Sequence, residues 1–240
     1  MKALYVRESL NFKKQSAVDS MGLGAKPKLR ELLDETTRGE YTIDDDLTIT
    51  FPGDFHINNF STRIDLPEGI VVKGTAFIDE RNIYELPKNF KVNNLKLQYA
   101  RNLKALPDDI IIEGNLDIES IDFISLPKNL SIGGDLEIGC CCNVTLSENL
   151  HVGGDLDLRK TQIDKLPKGL RVKGYLDIEN TEITSLPEDI QVGKYLDMYG
   201  LRILKLPSKL KVGTNLDIRR TLITSLPKDL EVKGLILKDF

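Results

Sequence analysis

Six carboxylates recur at intervals of twenty residues: Asp117, Glu137, Asp157, Asp177, Asp197 and Asp217. Charges at such intervals become one binding surface only if the fold brings them into a column. Arg159 and Arg219 stand two positions after their acids, followed by Lys160 and Arg220, while Tyr175, Tyr195 and Tyr199 flank Asp177 and Asp197. Tyrosine offers a large contact area with a polar tip, which interfaces favour. The residues expected to contact a partner are therefore Asp157, Arg159, Tyr175, Asp177, Tyr195, Asp197, Tyr199, Asp217 and Arg219. The competing reading is a solvated polar face that keeps a sheet soluble.

Other constellations carry less chemistry. Cys140, Cys141 and Cys142 are adjacent, so they cannot readily supply the converging ligands of a tetrahedral metal site or a disulfide framework spread through a fold. His56 and His151 are about five repeats apart, and no nucleophile has a positioned base. The pairs starting at Gly133 and Gly153 lack the lysine and helix that follow a phosphate-binding loop. No catalytic residue, cofactor or metal is expected.

The elements that must position the acidic column are legible in a second pattern. Leu66, Leu86, Leu106, Leu126, Leu146, Leu166, Leu186, Leu206 and Leu226 share one twenty-residue phase, and all but Leu146, which precedes Ser147, are followed by proline. Such a register means that one supersecondary unit stacks on itself. In the copy from Arg171 to Ile190, apolar and small residues alternate from Val172 through Gly174 and Leu176 to Ile178, which predicts a short strand with Tyr175 and Asp177 facing outward. The Leu-Pro step removes a backbone donor and predicts an extended return arm. Equivalent strands should lie about 4.8 Å apart in a parallel sheet, so neighbouring carboxylates repel by ~1 kcal/mol per pair at the dielectric of water. Gly74, Gly114, Gly134, Gly154, Gly174 and Gly234 recur where a missing Cβ permits a bulge or close backbone approach. Two copies, Val92–Leu95–Leu97 and Val232–Leu235–Leu237, have spacings of three then two; the others, with four then two, are expected to carry one bulged residue.

Three-then-two spacing, with the arm Thr181 to Pro187, resembles a short bacterial-type leucine-rich repeat. Thr161, Thr181 and Thr221 stand where that family has asparagine, and a hydroxyl cannot supply an amide's two donors and acceptor, so the family's asparagine ladder is not expected here. A pentapeptide-repeat helix is disfavoured because Arg171, Gln191 and Lys211 would enter its core. The expected fold is a β-rich, leucine-rich-repeat-like solenoid of twenty-residue coils with a parallel sheet and a small N-terminal helical cap. Residues 1–24 are expected to form an arm, 25–50 a cap with a helix near Lys28 to Arg38 and strands near Tyr41 to Thr50, and 51–240 the solenoid. The run DSMGLGAKPKLRELL, then EYTIDDDLTITFPGDFHI, then leucine-proline coils, is similar to small tailed-bacteriophage proteins with degenerate leucine-rich repeats. That resemblance implies a phage-encoded interaction protein of the host cytoplasm or the virion, with no shared catalytic residues.

Composition narrows the partner. A net charge of −4 argues against direct nucleic-acid binding, and no apolar stretch is long enough to span a membrane. The expected function is non-catalytic binding of a host or phage protein through the strand face. An acidic nucleic-acid mimic and a structural virion component attached through the N-terminal arm are the alternatives. Strand pairing at the C-terminal edge, Val232 to Phe240, is a candidate route to a homodimer.

Overall fold

The computed structural model describes residues 25–37, 39–58, 63–139 and 143–240. The proposed arm (1–24) and the cysteine triplet lie outside the described residues. The chain divides into two compact units, residues 1–113 and 114–240, each built from stacked coils of a parallel β-solenoid.

In the first unit, helix α1 (Ala25–Thr36) begins three residues earlier and ends two earlier than its leucine spacing predicts. Its Leu33 is fully buried, and the Tyr41 hydroxyl donates to Asp34 Oδ1 at 2.6 Å. Strands β1 (Thr42–Ile43) and β2 (Ile49–Phe51) pair antiparallel, after which every pairing in this unit is parallel. β2 and β3 (Phe55–Asn58) both pair with the ten-residue β4 (Ile70–Asp79), and β4 pairs with β5 (Lys91–Gln98). Phe51, Phe55 and Phe90 fill the interior in edge-to-face contacts, with centroids 4.7 and 6.4 Å apart.

Comparison of β4 with β5 explains the two spacings. Val72 pairs with Val92 and Thr75 with Asn94, so β4 carries one residue more than β5 between these points. The expected bulge is therefore present. The final copy differs: Val212 pairs with Val232 and Leu216 with Ile236, so the inward step is four residues and Leu235 points outward, 67 % exposed. The three-then-two reading of Val232–Leu235–Leu237 is corrected because Ile236, not Leu235, meets the leucine column.

In the second unit the bulge has become a bend that divides each strand in two. One ladder runs through His151, Arg171, Gln191, Lys211 and Glu231, and the other through Leu136, Leu156, Leu176, Leu196, Leu216 and Ile236. The return arm is irregular except where Phe123–Ser125 pairs with Asn143–Thr145. Leu126, Leu166, Leu186 and Leu206 are all buried, each contributing ~1.5–3 kcal/mol by leaving water. Leu146 and the terminal Leu226 are half-buried. Among the described residues no helix is long and apolar enough to cross a membrane.

Candidate interaction face

The six acids are in register. Glu137 pairs with both Asp117 and Asp157, and the ladder continues through Asp177 and Asp197 to Asp217. What fixes an acid there is a corner. Asp157, Asp177, Asp197 and Asp217 each accept, through Oδ1, the backbone N–H two residues on, at 3.0, 3.1, 2.9 and 3.0 Å. That contact closes an Asx turn. The next residue takes the left-handed conformation, with φ of 58° at Lys160, 56° at Asn180, 77° at Gly200 and 55° at Arg220. Threonines 161, 181 and 221 complete the turn by donating their hydroxyls to the carbonyl three residues back, at 2.7, 2.9 and 2.7 Å. These threonines act inside their own coil and form no inter-coil ladder.

In these four coils the corner uses an Asx side chain but leaves its charge to be offset, and the coils do this unequally. At the lower coil Arg159 holds Asp157 with Nε and Nη2 and reaches Asp177 at 3.3 Å. At the upper coil Arg219 holds Asp217, which is only 1 % exposed. Burial pushes the Asp217 carboxyl up, but the Arg219 guanidinium and backbone N–H outweigh it, so its pKa lies below the usual value. Between them the equivalent positions are Glu179 and Tyr199, so Asp177 and Asp197 have no arginine two positions on in their own coil. Burial raises the Asp177 carboxyl to about 6, with repulsion from Asp197 and Asp157 adding to it, against the Glu179 N–H and Arg159.

The tyrosines gather over this under-compensated stretch. The Tyr195 hydroxyl donates to Asp197 at 3.1 Å and to Asp217 at 3.4 Å, and burial plus these carboxylates raise its pKa well above that of free tyrosine. Tyr175 meets Tyr195 edge-to-face at 6.2 Å and remains 46 % exposed. Lys194 lies over Tyr175, and Arg219 and Arg220 lie over Tyr199, at 5.2, 5.6 and 5.3 Å from the ring centroids. Eight of the nine residues singled out from the sequence thus fall in one surface patch; the ninth, Asp217, is corrected from a contact residue to a buried support, because Arg219 and Tyr195 cover it.

A second ladder was missed by that reading. One residue before each inward leucine, Asn115 Oδ1 accepts the Asp135 N–H, Asp135 Oδ1 the Asp155 N–H and Asp155 Oδ1 the Tyr175 N–H, each at 2.8 Å; Asn215 Oδ1 accepts the Leu235 N–H at 2.9 Å. These oxygens occupy the space where a Cβ would stand on Gly134, Gly154, Gly174 and Gly234, nineteen residues beyond each acceptor. The glycine column is therefore the counterpart of the Asx column. Where Tyr175 and Tyr195 replace the acceptor, Lys194 and Thr214 replace the glycine. The signal was in the sequence as paired identities at an offset of nineteen, not twenty.

Comparison with protein-family models, with curated proteins and with solved structures gives no match.

Proposed function

We propose that the protein is a non-catalytic binding module whose strand face takes a basic protein surface at Tyr175, Asp177, Tyr195, Asp197 and Tyr199. The observation that carries this reading is the surrender of the Asx–glycine ladder at two consecutive coils in favour of tyrosines, at the place where the arginine row is interrupted. Tyr175 also stays 46 % exposed, so much of its ring is left open to a partner. A partner arginine or lysine would supply the missing cation between Asp177 and Asp197 and lie against the tyrosine rings, as Lys194 and Arg220 already do. The local pairing of Asp157 and Asp217 with arginine disfavours the nucleic-acid mimic, since a phosphate imitation needs its charges open. A phage-encoded protein would use such a face against a host or phage protein. Charge reversal of Asp177 and Asp197 together, in pull-down from the producing cell, should abolish recovery of the partner that wild type retains; undiminished recovery refutes the assignment.

A further inference from the structure

The same coils present a second feature, on the outward side of the other ladder. A groove of about 540 Å³ is lined by His151, Arg171, Lys173, Gln191, Lys209 and Lys211. Its position follows from the repeat: Arg171, Gln191 and Lys211 are successive members of one column, and Gly193, which packs its Cα against the Lys173 carbonyl where a Cβ would collide, lies in the wall beside them.

Among the polar side chains of the lining, donors outnumber acceptors. Arg171 uses Nε to donate to Gln191 Oε1 at 3.3 Å, which leaves the terminal nitrogens of its guanidinium and the Gln191 amide available as donors. Among the described residues, neither Lys173 nor Lys209 has an acidic partner within ion-pair distance. The two carboxylates in the wall already have contacts: Glu188 accepts from the Ser208 hydroxyl at 3.3 Å and Asp189 from the Gly169 N–H at 2.9 Å. Lys211 is bridged to Glu231 at 2.8 Å, at the rim. A protein with net charge −4 thus holds three cations without ion pairs in a concavity of ligand size.

We propose that this groove binds a small condensed phosphate, two or three phosphoryl groups long, free or as the tail of a nucleotide. With coils about 4.8 Å apart, Arg171 and Lys211 stand roughly 10 Å apart along the column. One carboxylate can meet only one end of that span. A short phosphate chain carries acceptor oxygens along its length, so Arg171 takes one end bidentately while Lys173 and Lys209 neutralise the rest.

Calorimetric titration of the full chain with inorganic tripolyphosphate at low salt should show saturable binding. Arg171→Gln and Lys209→Gln should each weaken it about tenfold or more, as loss of a charge-assisted contact implies, whereas Lys165→Gln, outside the groove, should leave it unchanged. The backbone amide of Gly193 should shift on titration in wild type and not in the double variant, whose circular dichroism confirms folding. ATP binding as tightly as tripolyphosphate indicates the nucleotide source, and tripolyphosphate alone indicates the free anion; both support the site. Absence of saturable binding at millimolar probe, equal affinity in the groove variants, or tighter binding of citrate or an acidic peptide overturns it.

Discussion

Restoring the broken ladder is the sharpest perturbation of this fold. Tyr175→Asn supplies an acceptor for the Tyr195 N–H, and Lys194→Gly clears the space that acceptor needs, as Gly174 does for Asp155. Alone, Tyr175→Asn loses the edge-to-face pair with Tyr195, ~0.5–1.5 kcal/mol, and the contact with Lys194, ~0.5–1 kcal/mol. Alone, Lys194→Gly loses the same cation contact and ~0.5–1 kcal/mol of backbone entropy. Together they should recover one inter-coil hydrogen bond, a net ~1 kcal/mol. Because both single variants lose the same cation–ring contact, a parallel cycle with Tyr175→Ala and Lys194→Gly measures that shared part. Urea unfolding should give a coupling energy about 1 kcal/mol larger in the asparagine cycle than in the alanine cycle, and hydrogen exchange at the 195 amide should slow only in the asparagine double variant. Agreement of the two cycles within about 0.5 kcal/mol, or an unprotected 195 amide, refutes the ladder account.

Ser147→Pro should stabilise: Ser147 stands in the proline column with a buried hydroxyl that has no partner among the described residues, and removing it while stiffening the unfolded chain is worth ~1 kcal/mol, read as a raised melting temperature. Asp177→Asn keeps the Asx-turn acceptor and removes the charge. Since the folded carboxyl titrates near 6, above its unfolded value, wild type loses stability as pH rises from about 4 through 6, so the variant should be the more stable at pH 7.5, with the difference vanishing near pH 4 in paired denaturant curves. Asp217 has the opposite sign: its lowered pKa adds stability above the usual carboxylate range that is lost on acidification, and Arg219→Gln should destabilise at pH 7 while flattening this acid limb. Gly174→Ala should destabilise strongly, because the added Cβ meets both Asp155 Oδ1 and the Gly154 backbone, so Asp155→Ala should rescue it only in part.

Much of the fold was legible because side-chain period and repeat period coincide. Twenty-residue columns of Leu176, Asp177 and Leu186 translate directly into buried rows and an outward carboxylate row. The bulge was legible for the same reason, as one extra residue between Val72 and Ala76 relative to Val92 and Leu95. At Leu235 to Leu237 an unbroken apolar run fits two phases, and only pairing with Leu216 decides between Leu235 and Ile236. The Asx ladder escaped because its partner is a backbone N–H, which every residue has, and its sole trace is the glycine it requires in the next coil. The acidic column was seen, but its corner-forming duty was not, since local side-chain-to-backbone bonds leave no periodic hydrophobic mark.

The proposed partner is a basic protein surface seated on the tyrosine-flanked gap in the arginine row. Photo-crosslinking in the cell that makes the protein tests it most directly, with the reactive side chain placed at position 175 or 199 and, as control, at position 182 on the exposed return arm. One common protein adduct is expected at 175 and 199, none at 182, and that adduct should be lost when Asp197→Lys is added. An adduct equally strong at 182, or one indifferent to Asp197→Lys, contradicts it.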